Sequence, residues 1–191
     1  MEIWERYNKN VIEKFSIDLI AESFDKKYGT YIAPKDSDNF DFISPDKTSA
    51  IEITLVIPEN EQKEYVYEIE KHKGKEKLKT ENIKNLRLDS QGNIASYYGG
   101  SMAEIKNTII TSLEKKQQKA LKRIKIKNYH YIDLCLCIQD GSLFDLNSFK
   151  MAFTNLDKYL FQNIFFITPS HFIRYNKKTG FEEYPRKLKN M

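Results

Sequence analysis

Two carboxylates sit in the middle of two short apolar runs, Asn39-Phe40-Asp41-Phe42-Ile43 and Ala50-Ile51-Glu52-Ile53-Thr54, with Ser44 to Ser49 between them. Each run alternates as a strand does, and Pro45-Asp46-Lys47-Thr48 has the residues of a type I turn or a close relative. Antiparallel pairing across that turn sets Asp41 opposite Glu52 and Asn39 opposite Thr54. Directly opposed side chains share a face, with β-carbons roughly 4.5–5.5 Å apart. Phe40, Phe42, Ile51 and Ile53 are then expected together on the other, buried face. Two acids held side by side repel unless a cation neutralises them, and a divalent metal ion is the obvious candidate. The alternative is a solvated or lysine-paired couple, because exposed strand faces routinely carry Asp, Glu and Thr.

Helices must hold such a hairpin in place. Residues 3–28 have helical periodicity, with Ile3, Tyr7, Val11, Phe15 and Leu19 along one stripe and Gly29 placed to end it. Tyr31 to Ala33 reads as a short strand before the hairpin at 39–57. A second long helix is expected over 101–125, opened by Ser101 with Glu104 three residues on, the spacing of a capping box. Its apolar side is Ile105, Ile109, Leu113, Ala120, Leu121 and Ile124. Lys116 continues the stripe of Ile105, Ile109 and Leu113, so it is expected to point at the sheet, where a lysine needs a carboxylate or phosphate partner. Lys119 shares that face at i+3.

Beyond these, His130 to Ile138 and Asn163 to Thr168 read as buried strands, with a turn at Asp140-Gly141 and a helix over Leu146 to Leu160 between them. Phe172 to Tyr184, turning at Thr179-Gly180, suggests a peripheral hairpin. Residues 59–100 are less regular; Tyr65 to Glu70 alternates like a strand, and the whole stretch is read as an insertion or an extension of the sheet. The chain is expected to be a single domain with its core at about 3–57 and 101–168.

With 40% hydrophobic residues the 191-residue chain can bury a substantial core. It has no run of about 18 apolar residues, so no membrane helix is expected. Met1 to Arg6 lacks the order of a secretion signal, and Cys135 and Cys137 fall on one strand face, where i and i+2 thiols are poor disulfide partners. Buried reduced thiols in a cytoplasmic protein are the expectation. A net charge of +4 allows a nucleic-acid partner without requiring one, although lysines cluster at 71–79 and 115–127. His72, His130 and His171 lack metal-site spacing, Tyr97-Tyr98-Gly99-Gly100 reads as loop packing, and no phosphate loop, dinucleotide fingerprint or serine elbow is present.

The order of elements, with an acid in the second strand and another in the third, resembles the PD-(D/E)XK nuclease superfamily. The resemblance covers about residues 3–57 and 101–138. It implies an α/β fold, a mixed central sheet flanked by helices, with an α-β-β-β-α-β restriction-endonuclease-like core carrying an insertion. Asp41 matches the family's first acid, preceded by Asn39-Phe40 rather than proline, and Glu52 matches the second. Thr54 stands where the family places a lysine. Some relatives recruit a basic or amide group from the next helix instead, and Lys115-Lys116-Gln117-Gln118-Lys119 offers Lys116 and Lys119. Many relatives add an acid from the first helix, here Glu13 in preference to Glu22.

The resemblance then implies Mg²⁺ or Mn²⁺ held by Asp41, Glu52, Glu13 and the backbone carbonyl of Ile53, with Lys116 or Lys119 supplying charge beside the transition state. The implied activity is metal-dependent hydrolysis of phosphodiester bonds, of DNA by family analogy, with nucleic acid as partner, no membrane, and a homodimer as an option. Two other classes stay open. One is a nuclease-fold module that has lost turnover and binds nucleic acid or a protein partner. The other is a structural protein that assembles through residues 59–100.

Overall fold

The computed structural model describes residues 9–36, 38–58, 63, 101–138 and 145–185. Six strands run across one sheet in chain order: β1 (Phe42–Ile43), β2 (Ser49–Val56), β3 (Tyr131–Ile138), β4 (Asn163–Ile167), β5 (Phe172–Asn176) and β6 (Gly180–Tyr184). β2, β3 and β4 are parallel, whereas β1, β5 and β6 run antiparallel to their neighbours. Parallel strands need crossovers that cover the sheet, so their residues are buried on both sides. β3 and β4 accordingly have only one exposed residue between them, Tyr131.

Alternation along each strand divides the interior in two. Ile132, Leu134, Leu136 and Ile138 of β3 point to one face with Ala50, Val56, Ile164 and Phe166. Cys135 and Cys137 point to the other with Ile51, Ile53, Phe165 and Ile167. The helix α2 (Met102–Ile124) lies over the first face through Ile105, Ile109, Leu113 and Ala120, spacings of four and seven that keep one stripe inward. The short helix α3 (Leu146–Ala152) joins it, with the Phe149 ring 4.7 Å from that of Phe166. The helix α1 (Lys9–Ser23) covers the second face through Ile17, Leu19 and Ile20. The fold is α/β, a mixed sheet flanked by helices.

Local chemistry sets the boundaries. Ser101 and Glu104 cap each other at the start of α2 as their spacing predicts. α1 stops at Ser23, before Gly29, because the N–H groups of Phe24 and Asp25 both turn back to the Ile20 carbonyl. Asp25 then caps a 3-10 turn at Lys26–Thr30. Tyr31 to Ala33 contributes only a single antiparallel bridge, Ile32 to Ile43. The helix expected over 146–160 is shorter, ending at Ala152, with a separate 3-10 turn at Leu156–Lys158. The hairpin at 172–184 is not peripheral. β5 is an interior strand whose Phe172 and Ile173 are fully buried.

The hairpin that carries the acids has the register expected of it, with Phe42 opposite Ile51 and Ile43 opposite Ala50. Its turn closes through Lys47 N–H to the Ser44 carbonyl at 2.9 Å, with Lys47 in the left-handed region at φ 59°. Asp46 stabilises it by accepting from Ser44 Oγ at 2.6 Å and from the Thr48 N–H at 3.1 Å. One expectation fails here. Regular pairing begins at Phe42, so Phe40 escapes the alternation and packs on the α2 side against Tyr129, not with Phe42, Ile51 and Ile53. The expected elements within 59–62, 64–100 and 139–144, including the strand at Tyr65 to Glu70, the Tyr97-Tyr98 pair and the Asp140-Gly141 turn, lie outside the described residues.

Candidate active site

Glu52 falls on the α2 side of β2 because it alternates with Ile51 and Ile53, which face α1. Its carboxylate is almost completely buried, yet three cations reach it. Lys116 Nζ donates to Oε1 at 2.7 Å, Lys119 Nζ donates to the same oxygen at 3.2 Å, and Arg123 Nη1 donates to Oε2 at 2.6 Å. Burial alone pushes the Glu52 carboxyl up, but the charges and hydrogen bonds of Lys116, Arg123 and Lys119 outweigh it and hold the group below its ordinary value. Glu52 is therefore ionised at neutral pH. Three positive charges against one negative leave an excess of two in this cluster.

Arg123 is the residue that the sequence reading missed. It lies seven residues after Lys116 and four after Lys119, so the inward stripe of α2 passes through it. Its guanidinium sits 5.2 Å from the centre of the Phe40 ring, which in turn meets Tyr129 edge-on at 5.3 Å. The displaced Phe40 thus forms the floor beneath the ion pair. Gln117, from the same lysine-rich stretch, is engaged elsewhere, its Oε1 accepting from the Leu160 N–H at 2.9 Å.

The shared face expected for Asp41 and Glu52 is not found: they hold facing positions on the hairpin, but Asp41 looks to α1 and Glu52 to α2, because Asp41 precedes the regular pairing of β1. Asp41 lies just before β1, and its Oδ2 takes the Ile53 N–H at 2.7 Å, where a strand partner would otherwise bond. Its Oδ1 is 3.4 Å from Lys9 Nζ on α1, which is also 3.1 Å from Glu13 Oε1. Glu13, the first-helix acid favoured by the sequence, therefore does meet Asp41, whereas Glu22 is exposed. Burial and the Asp41 charge push the Glu13 carboxyl up against the opposing pull of Lys9. The Lys9 ammonium is raised in turn, chiefly by its pairing with Glu13.

The donors around Asp41 suit a hard divalent cation. Glu13 Oε1 is buried and, despite the nearby ammonium, accepts no hydrogen bond of normal geometry. The N–H and C=O of a strand residue point to the same side, so the Ile53 carbonyl lies toward Asp41. Mg²⁺ is commonly held by only one or two carboxylates plus substrate phosphate. Among the described residues, no three His, Cys, Asp or Glu side chains converge to hold a metal ion. Glu13 and Asp41 supply two carboxylates, and Glu52, expected as a further ligand, is instead committed to its three cations.

The remaining candidates are accounted for by packing. Cys135 and Cys137 are buried free thiols, with Cys137 Sγ 2.9 Å from Ser16 Oγ. His171 Nδ1 pairs with Glu183 at 2.6 Å. None of the described helices is long and apolar enough to cross a membrane. No protein-family model, curated protein or solved structure matches the chain.

Proposed function

We propose that the chain is a metal-dependent, nuclease-like hydrolase of phosphodiester bonds, with DNA as the substrate suggested by the resemblance of its motifs. The observation that carries this reading is the convergence of Lys116, Lys119 and Arg123 on Glu52, one residue from the Ile53 peptide that binds Asp41. Positive charge reaching β2 from α2 and carboxylates reaching it from α1 are the two kinds of group that a phosphodiester and a cation need. Lys116 and Lys119 hold the phosphate, and Arg123 fixes Glu52. Glu13, Asp41 and the Ile53 carbonyl hold Mg²⁺ or Mn²⁺, which when bound lowers the pKa of a water and neutralises charge on the phosphate. Thr54 lacks the charge of the lysine it replaces, and Lys116 restores it from the neighbouring helix.

A second reading has its own support. Glu52 is saturated by cations, as in a module that binds phosphate backbone without cutting it. Plasmid nicking with Mg²⁺ or Mn²⁺ separates the two. Nicking that disappears in EDTA, in Asp41→Ala and in Glu52→Ala, with the variants folded by circular dichroism, supports hydrolysis. Salt-sensitive DNA binding without nicking under any metal supports the binding module.

A further inference from the structure

We propose that Lys115, Lys119, Lys122 and Lys125 form a row on the outer flank of α2 that holds one strand of a DNA duplex by its phosphates, without reading its sequence. The inference rests on the phosphodiester reading for its ligand and goes beyond it in assigning the surface that carries the polymer. Lys115, Lys119 and Lys122 stand at i, i+4 and i+7, so they fall within about 60° of one another around the helix. All three are exposed, as is Lys125 at the C-cap. Among the described residues, no carboxylate pairs with Lys115, Lys122 or Lys125. Glu114 is the one acid in this half of the helix, and the positions three and four residues from it are Ile110, Thr111, Gln117 and Gln118. No lysine of the row is therefore its neighbour on the helix surface. Lys119 joins the row to the Glu52 cluster, because its side chain is 50% exposed while its Nζ donates to Glu52 Oε1.

A row of positive charge without counter-ions fits a rod of regularly spaced negative charge. From Lys115 to Lys125 the row runs about 15 Å along the helix axis. One strand of a duplex carries a phosphate about every 3.4 Å of its axis, so about four phosphates face the row. The composition of α2 decides between duplex and single strand. It has no Phe, Tyr or Trp, whereas proteins that hold single strands stack the bases on such rings. Ammonium groups on phosphates position a duplex and carry no base information. With its inward stripe packed on the sheet, α2 offers a flank to one backbone and does not enter a groove.

The test uses the full chain, with DNA affinity followed by fluorescence anisotropy in EDTA. A row variant combines Lys115→Met with Lys122→Met, leaving every contact of Glu52 in place. A control combines Lys177→Met with Lys178→Met, removing equal charge from the exposed turn between β5 and β6. Circular dichroism checks that both fold. The row variant should lower the salt slope for duplex by about two and weaken binding about fivefold, and the control should change neither. Duplexes of unrelated sequence should bind alike, and the matching single strand more weakly. Equal effects of the two variants, no duplex binding by wild type, a single strand bound as tightly as duplex, or a preference for one sequence would each overturn the inference. So would displacement of labelled duplex by poly-glutamate as readily as by unlabelled duplex, the mark of a surface for acidic proteins. Loss of slope in the row variant, with no nicking by wild type in Mg²⁺ or Mn²⁺, keeps the row and removes hydrolysis. Nicking by the row variant at the wild-type KM removes the row and leaves hydrolysis standing.

Discussion

Glu52 keeps its charge inside the protein only because Lys116, Arg123 and Lys119 surround it, and that makes it a pH-dependent fastener. A carboxyl held below its ordinary value stabilises the fold above that value, and the contribution is lost as pH falls through the depressed pKa. Wild type should lose this contribution as pH drops below 4.5, the ordinary glutamate value. Glu13 has the opposite sign. Its raised carboxyl imposes a cost that is absent below 4.5 and grows as pH rises through the raised pKa. Urea unfolding of wild type and Glu52→Gln over this range checks the assignment, because the variant should lack the acid-side loss. At neutral pH, Glu52→Ala leaves a buried arginine and two lysines without their counter-ion, and a cost of about 3–5 kcal/mol is expected from the same measurement. A second buried carboxylate serves as a control away from the site. Asp133 accepts from Tyr28 Oη at 2.7 Å and from the backbone and side chain of Asn163, both at 2.9 Å. Tyr28→Phe should cost about 1–3 kcal/mol in denaturant unfolding and leave DNA binding unchanged.

The element that decides the site is α2. One stripe carries Ile105, Ile109, Leu113 and Ala120 into the core and Lys116 and Arg123 onto Glu52, so packing and electrostatics share a single helix rotation. The apolar half anchors the helix and the charged half is aimed as a consequence. Leu113→Ala, at a fully buried position one turn before Lys116, should therefore cost about 2–5 kcal/mol and also weaken DNA binding, read by chemical unfolding and anisotropy. Ser101→Ala removes only the cap at the far end. About 0.5–2 kcal/mol of stability should be lost in thermal unfolding, with DNA binding unchanged in samples below their midpoint. The hairpin is the other positioning element. Its two-residue β1 is too short to impose a full ladder, and Asp41 takes over the last hydrogen bond to Ile53.

Across the whole molecule, the sheet separates two chemistries. Acid and ammonium from α1 meet Asp41, and cations from α2 meet Glu52. Such a division needs a rigid partition, which the aromatic packing of β4 supplies on both faces through Phe165 and Phe166. Phe165→Ala should cost about 3–5 kcal/mol, whereas Met151→Ala, 82% exposed on α3, should stay within about 0.5 kcal/mol, as measured by denaturant titration.

Much of this was legible in the chain itself. The hairpin register followed from turn chemistry and a period of two, the capping of α2 from Ser101 and Glu104, and the inward aim of Lys116 from a period near 3.6. These are local rules, in which a residue's direction depends only on its neighbours in sequence. What tertiary structure alone decided was how far regular pairing extends and which charges converge. β1 starts at Phe42, so Phe40 changes sides and Asp41 turns to α1. Arg123, 71 positions after Glu52, closes on it because the fold brings helix and strand together, a proximity that no local periodicity encodes.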